Sequence, residues 1–469
     1  MVFSSMVFLW IFLPIVFVLS LLIRKPKYQN ILLLAASLLF YAWGEPRNIL
    51  LLLASILLNW MFGLLLDRFR SRGRIFLVLD IVVNLGLLGY FKYTDFFINT
   101  INHVVPGAAI PLANIALPIG ISFFTFQAMS YVIDLYRGQI KVQKNLLYLA
   151  LYVSFFPQLI AGPIVKYRDI ELQIENRHAT LQGISSGFRR FVYGLGKKVL
   201  ISNLIAQAAD NLFALDVSSL TGGMAWLCAL TYTLQIYYDF SGYSDMAIGL
   251  GRMFGFDFLE NFNYPYISSS IREFWKRWHI SLSTWFQEYL YIPLGGNRKG
   301  KLRTYVNLLI VFFATGMWHG ASWNFIGWGL YHGFFLVVER IGFGNILKRS
   351  KVLSHIYTMA VVMTGWVFFR VESLSQGLSI VKRMLLPWLY TKTDVILGTQ
   401  IGIEAVIAIV LGILGCGILQ AVFSGKHTAA VARKWRGSIP EFLWCAVILF
   451  VCILMLANNT YNPFIYFRF

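Results

Sequence analysis

The sequence predicts an all-α polytopic integral membrane protein, on three observations. Hydrophobic residues make up 58% of the 469, mean hydropathy is +0.65, and 13% are charged, whereas soluble domains carry about 25% charged residues. Apolar runs recur along the whole length, many near the roughly 20 residues a helix needs to cross a bilayer. The formal net charge is +19, and the basic residues fall in short clusters between the runs: Arg24 to Lys27, Arg68 to Arg74, Lys166 to Arg168, Arg298 to Arg303 and Lys348 to Lys351. That is the positive-inside pattern of membrane proteins. Nucleic acid, the partner such a charge would imply in a soluble protein, is set aside, and membrane lipid is the expected surrounding.

Taken in order, the expected spans are 6–23, 30–44, 48–66, 75–92, 114–135, 145–162, 185–207, 222–240, 241–256, 304–318, 319–340, 352–370, 400–422 and 440–458. They total about ten to fourteen helices, with ends placed only to within a few residues. Some are expected to be re-entrant, because non-helical backbone at membrane depth survives only inside protein or beside a watery cavity. No basic stretch precedes the first run and no small-residue cleavage site follows it. The charges at Arg24 to Lys27 come after it, which predicts an uncleaved first span with its N-terminus outside. Lys426 to Arg436 reads as cytoplasmic, so one more span places Asn458 to Phe469 outside, and the number of crossings is even. The longest polar stretch, Lys166 to Gln182, is too short to fold as a domain, so residues 1–469 are read as one membrane domain. The four cysteines, Cys228, Cys416, Cys445 and Cys452, lie in apolar segments without metal-type spacing, which predicts buried reduced thiols and no metal site.

The stretch from Asn261 to Asn297 is not a simple span. Phe274, Trp278, Leu282, Trp285 and Tyr289 form an apolar stripe at helical spacing, and Arg272, Lys276, His279 and Ser283 form a second, polar one. The pattern predicts one amphipathic helix. Its polar face is either functional or an interfacial surface, with basic residues toward lipid headgroups and Trp in the aromatic belt.

Ionisable residues inside membrane spans are costly and usually functional. Of the seven histidines, His103, His178 and His427 fall in loops and His355 near a span end, leaving His279, His319 and His332. His319 lies in Gly316-Met317-Trp318-His319-Gly320 between apolar stretches. An imidazole there can act as general base on a hydroxyl, since it titrates near neutrality; it can also be a structural histidine bonded to a carbonyl. If one helix runs through both, His332 points to the opposite face from His319, and a structural role is expected for it. Asp239 and Asp245 lie amid apolar sequence and need partners. They are read as polar anchors of the fold first and as substrate contacts second. No phosphate-binding glycine loop, G-x-S-x-G elbow or zinc spacing is present.

Several segments together resemble the membrane-bound O-acyltransferase family, in particular the bacterial branch that includes the alginate O-acetyltransferase membrane subunit. They are Leu117 to Gln127 (LPIGISFFTFQ), Phe156 to Pro163 (FPQLIAGP), Tyr238 to Asp245 (YDFSGYSD), Phe274 to Ser283 (FWKRWHISLS), Met317 to Gly320 (MWHG) and Phe464 to Phe467 (FIYF). The resemblance covers the chain from about residue 40 to its end, in the family's order. It implies a ring of helices, some re-entrant, around a central tunnel. The core carrying the motifs would be 111–340, between N-terminal spans at 1–110 and C-terminal spans at 341–469. It implies that His319 is catalytic and that His279 supports it. Trp318, Asn324, Trp275, Trp278, Ser283, Arg272, Lys276, Arg277, Asp239, Asp245 and Gln158 are candidates to line the tunnel or bind substrate.

What the resemblance implies for function is acyl transfer without a bound cofactor. A cytoplasmic acetyl thioester, acetyl-CoA for example, is the expected donor. Arg272, Lys276, Arg277 and Lys301 are candidates to attract its phosphates, with a solvated inner rim the alternative. An extracytoplasmic partner of esterase or transferase fold is expected to carry acetyl to a polysaccharide such as alginate. The expected location is the bacterial cytoplasmic membrane. The sister branch that passes D-alanine to cell-wall polymer shares the histidine motifs. A non-enzymatic polysaccharide or lipid transporter would share the composition, but has no evident need for an intramembrane Trp-His-Gly.

Overall fold

In a computed structural model the described residues are 1–389, 393, 395–422, 434–458 and 461–465. Among them every regular element is a helix or helical turn, so the chain is an all-α membrane protein. His427, most of the basic stretch from Lys426 to Arg436, and Tyr466 and Phe467 of the last motif lie outside the described residues. The chain divides into two compact units, Met1–Phe191 with Asp245–Leu259, and Val192–Ser244 with Glu260–Phe469.

In the first unit the central element is the helix Ile121–Tyr136, buried at every position from Ile121 to Leu135. A helix buried on every face lies inside a bundle, and this one packs against Ile49–Arg68 and Gly73–Val104. Between those two helices Asn59 and Asn84 exchange amide hydrogen bonds of 3.2 and 3.1 Å. The expected span 114–135 begins as helix only at Ile121. The expected span 145–162 is two pieces, Leu146–Ser154 and Phe156–Leu159, parted at Phe155. Pro157, in the first turn after the break, has no N–H to continue the earlier helix, and the Phe156 N–H is met instead by Ser37 Oγ at 3.0 Å.

In the second unit, two spans expected at 222–240 and 241–256 prove to be one helix, Gly222–Met253, of 32 residues. Residues 245–253 of that helix belong to the first unit. Gly242 lies where another segment crosses the helix: a Cβ there would sit 2.8 Å from the Gly194 carbonyl. Lys301–His319 and Trp323–Val338 pack closely against each other. Gly316 and Gly329 make that approach possible, since a Cβ on either would overlap the Phe325 or Phe312 carbonyl.

Among the described residues four helices are long and apolar enough to cross a membrane: Ile49–Arg68, Arg70–Val104, Lys351–Arg370 and Ile439–Asn458. All four cysteines are buried, as their apolar settings predicted.

Candidate functional site

The expected single amphipathic helix through 261–297 is not formed. Ser270 caps Ile271–Arg277 by accepting the Glu273 N–H at 3.0 Å, and the helix ends at Trp278 in extended conformation. His279 follows with φ 43° and ψ 55°, then Ile280–Phe286 begins. A left-handed conformation costs a residue with a Cβ about 1–2 kcal/mol, and strain of this kind gathers at functional sites. The apolar stripe survives the break, with Phe274, Trp278, Leu282, Trp285 and Tyr289 all buried. The polar stripe does not: Arg272 and Lys276 are exposed, Ser283 is half-buried, and His279 is 0% exposed.

Asn261 holds this turn. Its backbone carbonyl accepts the Ile280 N–H at 2.9 Å. Its Oδ1 accepts the Ser281 N–H at 3.2 Å and the Ser281 hydroxyl at 2.9 Å, and lies 3.1 Å from His279 Nδ1. Its Nδ2 donates to Ser244 Oγ at 3.0 Å. An oxygen fixed by a backbone N–H can only accept, so His279 Nδ1 carries the proton and Nε2 of the neutral ring is a lone pair. That Nε2 has no hydrogen bond among the described residues. Phe240 packs edge-on to the ring, with centroids 4.6 Å apart.

His319 is the last residue of Lys301–His319 and is 3% exposed. Trp318, Trp328 and Phe369 stand edge-on around it at 4.9, 5.0 and 5.2 Å. Its ring centroid is 6.5 Å from that of His279, and Trp318 lies 5.9 Å from His279. Two imidazoles from separate helices thus share one buried aromatic chamber.

His332 is not on a helix with His319, since Gly320 to Ser322 interrupt it. Trp328 nevertheless packs on both rings, at 5.0 Å from His319 and 5.3 Å from His332. Trp275 packs on His332 at 5.2 Å and on Phe312 at 5.1 Å. Trp278 packs on Trp366 at 4.7 Å.

The other predicted residues divide by position. Asn324 Nδ2 donates to the Val371 carbonyl at 2.7 Å, tying the start of Trp323–Val338 to the end of Lys351–Arg370. Ser283 Oγ faces the Trp278 carbonyl at 3.5 Å. Arg277 is taken up by Glu273 at 2.9 Å and the Asn263 carbonyl at 3.0 Å. Burial acts to raise the Glu273 carboxyl pKa, but hydrogen bonds from Ser269 and Arg277 outweigh it and hold the group below its ordinary range. Asp239 and Asp245 each have a basic partner. Asp239 pairs with Lys198 at 2.5 Å and accepts the Ile465 N–H at 2.8 Å. Asp245 takes two hydrogen bonds from Arg190, at 3.0 and 2.8 Å. Gln158 donates to the Tyr152 carbonyl at 2.5 Å; it and Asp245 belong to the first unit, whereas His279 and His319 belong to the second.

The sequence reading missed Asn261, Lys198, Trp328 and Phe369. Asn261 had a usable signal: it is the polar residue that opens the segment containing His279. Lys198, Trp328 and Phe369 reach their partners only through tertiary packing.

The model of the membrane-bound O-acyltransferase family matches residues 122–370, which include both chamber histidines. The chain is 41% identical over its full length to a probable alginate O-acetylase of Pseudomonas putida, itself covered in full. It is 47% identical over 381 residues to a probable alginate O-acetylase of Pseudomonas aeruginosa, covering 80% of this chain and 73% of that one. A peptidoglycan O-acetyltransferase of Helicobacter pylori is 38% identical over 82% of this chain and 80% of its own.

Proposed function

The chain belongs to the membrane-bound O-acyltransferase family, and we propose that it moves an acetyl group from a cytoplasmic thioester across the membrane, for O-acetylation of an extracytoplasmic polysaccharide such as alginate. The relatives named for O-acetylation of alginate and of peptidoglycan support acetyl as the group and a surface glycan as its destination. The observation that carries the reading is the pair of buried imidazoles 6.5 Å apart in an aromatic chamber.

In the proposed reaction His319 takes the proton of the acceptor hydroxyl, and the oxygen attacks the thioester carbonyl carbon. The C–S bond breaks as the ester C–O bond forms. The proton passes from His319 to the departing thiolate, leaving an ester and a free thiol. The C-terminal carbonyls of the Lys301–His319 helix favour the positive charge His319 carries between these steps. His279, with Nδ1–H held by Asn261, offers Nε2 to a hydroxyl or thiol proton when neutral, and donates to a developing oxyanion only when protonated. Acetyl-CoA is the donor we favour. Exposed Lys276 and Lys301, with Arg272, supply a cationic approach for its phosphates, while Arg277, paired to Glu273, is committed elsewhere.

The acceptor hydroxyl belongs to an extracytoplasmic partner of esterase or transferase fold, which passes acetyl on to polymer. The chain resides in the bacterial cytoplasmic membrane with both termini outside. The test is the O-acetyl content of surface polysaccharide, by NMR, from cells with wild type or His319→Ala at equal membrane abundance. Acetylation falls by about 100-fold or more, the lower end for a general base. Full acetylation in the variant would exclude His319 as the base.

A further inference from the structure

A cavity of about 660 Å³ opens in the second unit, separate from the histidine chamber. Its walls include Ser270 and Arg272 from the start of Ile271–Arg277, Arg340 and Lys348 from the turn that follows Trp323–Val338, and Lys351 and Ser354 from the first turn of Lys351–Arg370. The volume suits a small ligand or headgroup, since such sites run about 300–1,000 Å³. Four cations and one carboxylate, Glu339, line it. That carboxylate is already engaged: its oxygens accept the Ile271 and Arg272 N–H groups at 2.6 and 3.1 Å. Arg272 has that carboxylate as an electrostatic neighbour, whereas Arg340, Lys348 and Lys351 form no ion pair among the described residues. Arg340 and Lys348 donate only to the neutral side chains of Asn297 and Asn345. The cavity is therefore built for an anion.

Its position says which anion. Lys351–Arg370 is one of the four helices fit to cross a membrane, so Lys351 and Ser354 stand where a span meets the headgroup layer. The residues flanking the cavity lining are aliphatic and turned outward: Ile341 is 67% exposed, Ile346 56%, Val352 68%, Leu353 65% and Ile356 58%. An apolar rim beside a cationic cavity fits a molecule with acyl chains and a phosphate, and basic pockets between helices on the positive side bind such lipids.

We propose that this cavity binds a phosphate-ester anion, and that the anion is the headgroup of an anionic membrane phospholipid. The test is native mass spectrometry of the full chain released from nanodiscs containing equal phosphatidylglycerol and phosphatidylcholine. Wild type retains phosphatidylglycerol preferentially. Arg340→Gln/Lys348→Gln/Lys351→Gln lowers that preference by at least about tenfold, as expected on losing three interfacial cations. Arg24→Gln/Lys25→Gln/Lys27→Gln, which removes the same charge elsewhere, leaves it intact. Equal loss in both triples, or in neither, overturns the site. Calorimetry with coenzyme A in phosphatidylcholine nanodiscs separates the two sources of phosphate. Binding of coenzyme A that the cavity triple abolishes, without lipid preference, overturns the lipid assignment. The site shares Arg272 with the proposed donor approach but does not use the reacting histidine: His319→Ala keeps the lipid preference whatever it does to acetylation.

Discussion

Asn261 is the residue on which the histidine geometry turns. Its Oδ1 gathers the His279 ring proton, the Ser281 N–H and the Ser281 hydroxyl within 3.2 Å. Asn261→Ala removes the acceptor, so His279 loses its fixed tautomer and the strained turn loses its main tie. Asn261→Asp keeps an acceptor at the same place and adds charge that favours the imidazolium. In the proposed reaction the alanine variant lowers polysaccharide O-acetylation by at least about tenfold, and the aspartate variant retains more activity but shifts its pH profile toward higher pH. NMR of acetyl content, read against membrane abundance across a pH series, checks both. Equal losses without a pH shift would mean that Asn261 serves folding alone. The histidines were legible at this scale because imidazoles are rare in apolar sequence. The partners were not, since a lone Asn or Trp carries no label of what it will face.

At the scale of elements, the legible part was the apolar stripe and the lost part was the break within it. Phe274 to Tyr289 fits a single helical period, and nothing in composition marks His279, a residue with a Cβ, as left-handed. The turn is imposed by Asn261 from outside the helix, which periodicity does not register. The boundary expected between 240 and 241 falls inside one helix, and Gly242 beside it is a place where another backbone passes. Gly316→Val places side-chain atoms where the Phe325 carbonyl lies, and overpacking of this kind costs about 1–3 kcal/mol. Thermal unfolding in detergent is expected to show a lower midpoint, with loss of acetylation because His319 lies one turn away. A second consequence concerns acid. The Glu273 carboxyl is held below its ordinary value of 4.5, chiefly against burial, by hydrogen bonds from Ser269 and Arg277. A depressed carboxyl contributes stability above the unfolded value, which is lost as pH falls through the folded one. Glu273→Gln is expected to flatten that acid limb of the stability curve, and an unchanged limb would exclude this helix start as its source.

At the scale of the whole molecule, hydropathy revealed membrane residence and obscured the number of crossings. Windows of apolar sequence detect helices that face lipid. Helices that face other helices are free to carry polar residues: Lys301–His319 buries Thr304, Asn307, Thr315 and His319, and Gly222–Met253 buries Gln235 and Asp239. The second of these also holds the end of the chain. Asp239 accepts the Ile465 N–H across 226 positions of sequence, while its partner Lys198 donates to the Pro463 carbonyl. Both charges are nearly inaccessible, at 3% and 1%. A buried pair of this kind is costly to break and cheap to replace whole: loss of one partner is worth about 3–5 kcal/mol, while apolar substitution of both is often neutral. Asp239→Ala is therefore expected to lower the unfolding midpoint and membrane abundance strongly. Lys198→Met/Asp239→Leu should recover much of the midpoint, because no lone charge remains, yet it still lacks the acceptor for Ile465. Limited proteolysis then separates the two roles of the pair. If the double variant regains stability and its C-terminus is cleaved faster than wild type, the Lys198–Asp239 pair is the tie that fastens the chain end; if the C-terminus stays equally resistant, the fastening comes from packing of Phe464 against Tyr243.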